Sequence, residues 1–424
     1  MDFALTEEQQ MIVKATRDFV REELMPHEQQ VEETGTLPAE LLGELKAKAI
    51  DAGLYAANMP VEVGGAGLDT VTWVLYEKEL GRTSYALHYT CVARPSNILL
   101  ACQGEQRERY LRPTVRGERM ECLAITEPGA GSDLRGMKTT AVEKDGDFIL
   151  NGTKHFISHA DHADFVILFA ASGEEDSLAP RSSDRAVSGD RAVSEVPAGD
   201  SLASRSVRIP SGGGSRGKRK LITAFLVDMG TPGFEVRPGY RNVSHRGYNN
   251  SILQFNDCRI PKSAVLGEIH RGFEVANTWL GATRLQVAAT CLGRAERALE
   301  LAKQWSVDRV QFGQQIGKFQ GVAFKLADMA VELRAAELLT LEAAWKLDQK
   351  TASDMDMAIA KLKATEMLAM VADEALQIHG GMGLMADLPL ERIWRDARIE
   401  RIWDGTSEVQ RHIISRSLLR PLGG

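Results

Sequence analysis

The sequence predicts an α+β protein with an N-terminal helical domain, a middle β-barrel or β-sandwich domain and a C-terminal four-helix bundle. Apolar residues recur at helical spacing up to about residue 122, alternate with polar residues up to about 268, and then return to helical spacing. The chain has 424 residues, which is enough for two or three domains. We therefore expect domains over residues 1–122, 123–268 and 269–424.

The first region contains two helices with recognisable beginnings. Thr6 followed by Gln9 predicts a capping box, and apolar residues continue from it at helical spacing. A second helix is expected to open at Pro38, a good first-turn residue, and to stop near Gly53. Further helical stretches follow up to Leu111.

The middle region is predicted to be β-rich. The stretch 139–152 alternates on either side of Asp145-Gly146, which indicates a hairpin. Further strands are expected over 164–170, 221–228, 234–238 and 251–257. Between two of them, residues 172–220 are rich in Ser, Arg, Gly and Pro, and this composition is typical of a flexible insertion.

The third region carries long amphipathic segments. Those at 285–305, 324–347 and 356–380 each exceed the usual helix of a globular domain. Because the connections between them are short, neighbouring helices should run antiparallel and form a bundle.

Composition excludes several classes of protein. A formal charge of −7 without a sustained basic face argues against a nucleic-acid partner. The apolar runs are too short to span a membrane, and the N-terminus resembles neither a secretory signal nor a transit peptide. The five scattered cysteines are interpreted as reduced structural thiols. We expect a soluble cytoplasmic protein.

Three short stretches are candidate sites when read from the residues alone. His155, His159 and His162 have a spacing that suggests metal ligands, but they would not share one face of a strand, so we predict surface or loop histidines and no metal. The glycine-rich turn 127–133 could approach a phosphate. Gly380 and Gly381 either end a long helix or allow a cofactor to approach the backbone.

A further stretch, residues 401–416, contains Asp404 followed by Gly-Thr-Ser. On residue type alone, Asp404 is most readily a helix cap. Five stretches then change this interpretation when they are taken together. In order, they are AITEPGAGSD (124–133), NGTKHFIS (151–158), DRVQFGQQIGKFQ (308–320), QIHGGMG (377–383) and WDGTSEVQR (403–411). With these five motifs in this order, the chain resembles the acyl-CoA dehydrogenase family over essentially its full length.

The resemblance implies an FAD site assembled from several parts of the chain. The backbone of Ile125 and Thr126, and the Thr126 hydroxyl, would contact the flavin, while Ser132 would meet the FAD or CoA phosphates. Phe156 would cover one flavin face and Ser158 would reach N5, although the family more often has Trp and Thr there. The remaining FAD contacts implied by the resemblance are Arg309, Phe312, Gln320, Gln377, Gly380, Gly381, Thr406 and Glu408.

Because part of that set would bind the FAD of a neighbouring subunit, the resemblance also implies a homotetramer built as a dimer of dimers. An electron-transferring flavoprotein is the implied electron acceptor. For the acyl-CoA substrate, the implied contacts are Ser132, Thr283, Arg284 and Gly405.

The implied reaction is dehydrogenation of an acyl-CoA thioester across its α and β carbons. The base at position 404 is usually Glu in the family, whereas this chain has Asp404, and a second family location for the base is occupied here by Thr283. The shorter side chain withdraws the carboxylate by about 1.5 Å. It therefore favours a substrate that approaches more closely or a different kind of acyl group: bulky, branched, cyclic or hydroxylated.

Other interpretations remain open. The protein could be an oxidase that passes electrons to oxygen, acting on an acyl-CoA or a nitroalkane, although nitroalkane oxidases lack the Gly-Thr-Ser continuation. Alternatively, it could be a non-catalytic subunit of a hetero-oligomer. Arg94 could pair with an acidic acyl tail, or it could have a surface or structural role.

Overall fold

The structure is a computed structural model that describes residues 4–176 and 218–422. It confirms the predicted class: helices come first, a β-sheet region follows, and long helices complete the chain. No helix in these two ranges is long and apolar enough to cross a membrane.

The N-terminal helices begin where their capping residues predict. The Thr6 hydroxyl accepts a hydrogen bond from the Gln9 backbone amide at 3.2 Å, and the Gln9 side-chain oxygen accepts one from the Thr6 amide at 3.1 Å, which confirms the capping box. Pro38 is the residue before its helix rather than the first residue within it. The helices of this region are α1 (Glu7–Phe19), α2 (Glu28–Thr34), α3 (Ala39–Asp51), α4 (Thr70–Leu80), α5 (Tyr85–Cys91) and α6 (Arg112–Val115).

The middle region forms one eight-stranded sheet. Along its path the strand order is β6-β7-β3-β2-β4-β5-β8, and β1 pairs in parallel with β4. The hairpin predicted at Asp145-Gly146 joins β2 to β3. The strands are β1 (Glu121–Ala124), β2 (Thr140–Lys144), β3 (Asp147–Ser158), β4 (Phe165–Asp176), β5 (Lys218–Asp228), β6 (Phe234–Pro238), β7 (Asn250–Pro261) and β8 (Val265–Leu266).

The polar segment predicted over 172–220 begins and ends inside the sheet. β4 runs on to Asp176 and β5 starts at Lys218, so both strands are longer than the alternation of apolar residues indicated. Backbone pairing across the two strands continues through residues whose side chains are polar, and apolar periodicity cannot detect such strand ends. The rest of the predicted insertion, 177–217, lies outside the described residues.

Three long helices dominate the C-terminal region, and each begins before its predicted start. One of them, α7, also packs closely against α4 of the N-terminal region. A Cβ atom on Gly293 would lie 1.9 Å from the Lys78 carbonyl oxygen, so only glycine allows the end of α4 to approach α7 this closely. Two shorter helices follow. The helices are α7 (Gly272–Asp308), α8 (Gln320–Asp348), α9 (Asp354–His379), α10 (Leu390–Glu400) and α11 (Ser407–Leu419).

Candidate active site

A cavity of about 680 Å³ lies between the sheet and the helices. The loops after β1 and β3 form one wall, the loop before β7 another, and α5, α7 and the α10–α11 turn form the remainder. Ten of the residues predicted to bind the cofactor or substrate, or to act as the base, line it: Ile125, Thr126, Ser132, Phe156, Ser158, Thr283, Arg284, Asp404, Gly405 and Thr406.

Asp404 lies in the turn between α10 and α11 and does not cap the second helix. The cap is Thr406, whose hydroxyl accepts a hydrogen bond from the Val409 amide at 3.2 Å. Asp404 itself has φ +50°, a left-handed conformation that Asp tolerates better than most residues. Its Oδ2 accepts a hydrogen bond from the Thr283 hydroxyl on α7 at 3.1 Å. The carboxylate is thereby directed into the cavity, and the capping interpretation of residue type alone is wrong.

The surroundings of Asp404 make it more basic than an ordinary Asp. Burial raises the pKa of Asp404 to about 6, and the nearby Glu400 charge acts in the same direction. The Lys361 ammonium, the Thr283 hydrogen bond and the Arg284 guanidinium oppose this rise in the pKa. At neutral pH the group is therefore mostly ionised and still able to accept a proton.

The buried Lys361 side chain holds the backbone of the Asp404 turn. Its ammonium donates hydrogen bonds to the carbonyl oxygens of Glu400 at 2.7 Å, Trp403 at 3.1 Å and Gly405 at 2.9 Å. These three carbonyls flank Asp404 on both sides, so one buried side chain from α9 fixes the left-handed turn. Lys361 was missed at the sequence level, because it appears there as one of many lysines in an amphipathic helix.

Glu400 is the second carboxylate near the turn, and it is fully paired. It bonds to Arg294 at 2.7 Å, His245 at 3.0 Å and the Trp403 indole at 2.8 Å. Burial alone would raise the pKa of Glu400, but Arg294 and His245 lower that pKa to about 2. Glu400 therefore stays ionised and bound, which leaves Asp404 as the carboxylate free to accept a proton.

Aromatic rings pack around this cluster. Trp403 stacks on His245 with ring centroids 4.9 Å apart, and Tyr85 lies 4.8 Å from Trp403. Tyr89 and Tyr248 also line the cavity. None of these rings was predicted as a site residue, because their roles depend on contacts between segments far apart in the chain.

Phe156 also lines the cavity. The residue has φ +56° and lies at a β-bulge between Lys154 and Ile157, and its ring is 54% exposed beside Tyr240 at 5.0 Å. The buried Lys154 ammonium donates to the Ile125 carbonyl at 2.8 Å. These contacts hold residues 125–126 and 156–158 side by side.

The other predicted cofactor residues lie away from this cavity. Arg309, Phe312 and Gln320 belong to the connection between α7 and α8 and the start of α8, and the Phe312 side chain is 94% exposed. At the neighbouring end of α9, His379 stacks on Trp305 at 5.0 Å. Predicted residues that do not line the cavity are Arg309, Phe312, Gln320, Gln377, Gly380, Gly381 and Glu408.

Arg94 has a partner within the protein. Its guanidinium and the Glu121 carboxylate form an ion pair at 2.9 Å, and both side chains are buried. Arg94 is therefore not a surface arginine, and its buried ion pair with Glu121 agrees with the predicted alternative of a structural role. A cation already neutralised in this way is poorly available to an acidic acyl tail.

The histidines that the sequence singled out, His155, His159 and His162, do not form a metal site in the described residues. His159 lies in the turn after β3, as the loop alternative predicted, but it is buried and not at the surface: it bonds to Tyr248 at 3.2 Å and to the Glu121 carbonyl at 2.8 Å. Within the two described ranges, no group of three or more His, Cys, Asp or Glu side chains is arranged to hold a metal.

All five cysteines are buried and unpaired, as predicted.

Comparison with known proteins agrees with the family resemblance found in the sequence. Three family models match in order: the acyl-CoA dehydrogenase N-terminal domain over residues 6–118, the middle domain over 122–189 and the C-terminal domain over 270–419.

Individual relatives match at full length. Human mitochondrial short-chain specific acyl-CoA dehydrogenase is 35% identical over 420 residues, covering 98% of this chain and 91% of the relative. The caffeyl-CoA reductase-Etf complex subunit CarC of Acetobacterium woodii is 33% identical, covering 98% and 99%. A solved FAD complex of PigA superposes with a TM-score of 0.83 at 27% identity, covering 100% of both chains. The chain belongs to the acyl-CoA dehydrogenase family of FAD-dependent oxidoreductases.

Proposed function

We propose that this protein removes hydrogen from the α and β carbons of an acyl-CoA thioester and gives the 2-enoyl-CoA, with Asp404 as the base. The observation that supports this most directly is the Asp404 carboxylate itself. It lines the cavity and accepts a hydrogen bond from Thr283, its pKa is raised to about 6 by burial, and Phe156 lines the same cavity.

The wall around Phe156 fits a flavin. An exposed aromatic ring in a left-handed backbone can cover one face of a planar ring system, and the adjoining 125–126 backbone offers polar atoms to its edge. We infer that Ile125, Thr126, Phe156 and Ser158 contact the isoalloxazine, with Ser132 near the phosphates. Bound FAD supplies the acceptor for the β-hydrogen and its electron pair.

Within the protein, Asp404 takes the α-proton. For this its carboxylate must lie on the side of the substrate away from the flavin wall, and the Thr283 hydrogen bond fixes that direction. Asp is shorter than the usual Glu by one methylene, so the α-carbon must come about 1.5 Å closer to the turn. This requirement favours an acyl group that fits tightly between Thr283, Tyr89 and Trp279, which line the same space.

The assembly is proposed to be a homotetramer. Along α8, four large apolar side chains are exposed at intervals of seven residues, so they form one stripe down the helix. A second copy of the chain would cover such a stripe and bring Arg309, Phe312 and Gln320 towards a neighbour's FAD. The stripe consists of Phe324, Val331, Leu338 and Trp345.

An electron-transferring flavoprotein is the proposed electron acceptor. One full-length relative is a subunit of a complex named for Etf, which supports this choice over oxygen.

The test is anaerobic reduction of the purified yellow protein by a panel of straight, branched and cyclic acyl-CoAs. Asp404→Asn should slow bleaching of the flavin band by about a thousandfold, within the range of lost general-base catalysis. Asn also tolerates φ +50°, so the turn should be preserved. Asp51→Asn, the same change at an exposed position, is the matched control.

Bleaching of the Asp404→Asn variant at the wild-type rate would refute the role of Asp404. A protein that retains no FAD would instead favour a non-catalytic subunit, and rapid reoxidation of the reduced flavin in air would favour an oxidase.

The pH dependence offers a second test. A base with a pKa of about 6 is active when deprotonated, so kcat/KM should be level above about pH 7 and fall tenfold per unit below about pH 6. An ordinary aspartate would keep its activity down to about pH 4. A profile that stays level to pH 4.5 would contradict the assignment.

A further inference from the structure

A buried cluster of four charged side chains lies next to the turn that contains Asp404. His245 comes from the loop before β7, Arg294 from α7, and Asp396 and Glu400 from α10. Each of the four residues is at most 3% exposed. Because charges as buried as these are stable only when they are paired, the cluster must balance its charges internally.

His245 links its loop to α10. Its backbone amide donates a hydrogen bond to the Asp396 carboxylate at 2.7 Å, and its Nε2 bonds to Glu400 Oε1 at 3.0 Å. Its Nδ1 lies 3.5 Å from the second Asp396 oxygen. The preceding Ser244 hydroxyl donates to the Arg395 carbonyl at 2.8 Å. Two consecutive loop residues therefore fasten the loop to α10.

The charges of the cluster balance only when His245 carries a proton. Asp396 and Glu400 supply two negative charges, and Arg294, 2.7 Å from Glu400, supplies one positive charge. Burial alone would lower the pKa of His245, but the two carboxylates outweigh burial and raise that pKa above its ordinary value. The second cation is thus the His245 imidazolium, in which both ring nitrogens are donors.

Glu400 and His245 together hold the residue that precedes Asp404. Glu400 Oε2 accepts a hydrogen bond from the Trp403 indole at 2.8 Å, and the Trp403 ring stacks on His245 with 18° between the two planes. The Trp403 carbonyl is held separately by Lys361. Both the ring and the backbone of Trp403 are therefore fixed, and with them the start of the turn.

Two more titratable rings, both on α5, lie near His245. The Tyr85 ring centroid is 4.8 Å from that of His245, and His245 acts electrostatically on His88. Burial raises the pKa of Tyr85 and lowers that of His88, each far from its ordinary value, so both are uncharged at neutral pH. The titratable groups around Asp404 are Glu400, Lys361, Arg284, Tyr85, Tyr89 and Tyr248.

We propose that His245 is a positioning residue for the base: it ties Glu400 and the Trp403 indole to the loop that lines the cavity, and thereby holds the Asp404 turn. This proposal rests on the function proposed above, in which Asp404 removes the α-proton. The alternative is that His245 only stabilises the fold. A positioning cation bonded to Glu400 also changes the charge around Asp404, whereas a purely structural residue does not.

The test replaces His245 in the protein with its FAD bound. His245→Asn suits the left-handed backbone at this position, where φ is +49°, and removes the cation. His245→Phe also removes the cation but keeps a flat ring against Trp403. His412→Asn, the same change at an exposed histidine, is the matched control.

The substrate is whichever acyl-CoA of the panel bleaches the flavin fastest. At saturating concentration, we expect anaerobic flavin reduction in both His245 variants to slow by about tenfold or more, as for a misplaced catalytic group. The apparent dissociation constant of the acyl-CoA should change by less than about threefold, because the lost contacts hold the base and not the substrate.

The acid limb of the kcat/KM profile is the measurement that a structural role would not move. Without the His245 cation the Glu400 charge is less compensated, so the pKa of Asp404 should rise and the acid limb should move to higher pH. Glu400→Gln removes the negative charge itself, which raises the pKa of Asp404 in the wild-type protein, so its acid limb should move to lower pH. Each displacement should be at least about half a pH unit.

Several results would overturn the positioning role. They are an acid limb that stays at the wild-type pH or moves to lower pH in the two His245 variants, and a rate of flavin reduction equal to that of the wild type. If thermal unfolding and FAD content show that neither variant folds, His245 is a structural residue and the proposal is equally overturned.

The Asp404→Asn variant separates this proposal from the proposed function. If Asp404→Asn loses its bleaching while the His245 variants behave like the wild type, only the positioning role fails. If Asp404→Asn bleaches at the wild-type rate, or if no acyl-CoA of the panel bleaches the flavin, the proposed function itself fails.

Discussion

Two fully buried lysines support different backbone segments that line the cavity, and they do so with different partners. Lys154 on β3 forms an ion pair with Glu127 at 2.8 Å and donates to one backbone carbonyl, that of Ile125. Lys361 on α9 bonds to three backbone carbonyls around Asp404 and has no carboxylate among its hydrogen-bond partners in the described chain. The first charge is neutralised locally, whereas the second acts on the turn that contains Asp404.

The electrostatic consequences follow from this difference. Burial lowers the pKa of Lys154 to about 8, opposed by Glu127. Burial also lowers the pKa of Lys361, and there the opposing charges are Asp404 and Glu400. The Lys361 charge in turn lowers the pKa of Asp404 and limits the rise caused by burial. Lys154 is thus a structural support for the segment that contains Ile125, while Lys361 both holds the Asp404 turn and lowers the pKa of Asp404.

The largest expected effect of breaking this arrangement comes from Lys361→Met. The change leaves three carbonyls without their donor and frees the Asp404 turn, and we expect flavin reduction to slow by about a hundredfold, the scale expected for a misplaced catalytic group. The free energy of unfolding should fall by about 3 kcal/mol. Because a cation is lost beside Asp404, the acid limb of the kcat/KM profile should move to higher pH.

Lys154→Met, which removes the other buried lysine, is the control for this shift in pH. If the acid limb of the kcat/KM profile in Lys361→Met stays at the wild-type pH while the rate falls, Lys361 has only a structural role.

A smaller effect is expected from Lys154→Met. Glu127 would lose its cation but would keep hydrogen bonds from the backbone amides of Lys138 and Thr139, at 2.6 and 3.0 Å. We expect the wall that holds residues 125 and 126 to loosen, with FAD affinity falling by about tenfold, as when one charge-assisted hydrogen bond is lost. The dissociation constant is measured by flavin fluorescence. An acid limb displaced as far as in Lys361→Met would contradict the distinction between the two lysines.

The smallest effect is expected from Thr283→Val, which is nearly isosteric. It removes only the 3.1 Å hydrogen bond from the Thr283 hydroxyl to Asp404. In the wild-type protein that hydrogen bond lowers the pKa of the Asp404 carboxyl, so its loss should raise that pKa. The acid limb should therefore move to slightly higher pH, with a loss of about two- to fivefold in kcat/KM at pH 6. Thr283→Ser keeps the hydroxyl and is the matched control. A shift to lower pH in Thr283→Val would mean that the hydroxyl does not stabilise the ionised carboxylate.

The fold was largely predictable because its signals are local. Helical spacing predicted the long C-terminal helices, and alternation predicted the hairpin at Asp145-Gly146. The extension of β4 and β5 was not predictable in the same way. Its side chains are polar, and the strands are held there by backbone pairing, which leaves no apolar periodicity.

The candidate site was predictable in part. Motifs identified Asp404, Phe156 and the residues around Thr126, and these line one cavity. They identified neither Lys361 nor Glu400, because a buried lysine and a paired glutamate look in sequence like ordinary members of amphipathic helices. They also left the role of Arg94 open, since its partner Glu121 lies 27 residues further along the chain.

By itself, the sequence determined the order of helices and strands and the family, and it singled out Asp404 as the proposed base. The tertiary structure alone decided how basic that carboxylate is and which groups surround it. Thr283 and Asp404 are 121 residues apart, and Gln286 and Glu77 are 209 residues apart, yet each pair forms one hydrogen bond. A pKa depends on burial and on charges within a few ångströms, and those distances exist only after distant segments of the chain have packed together.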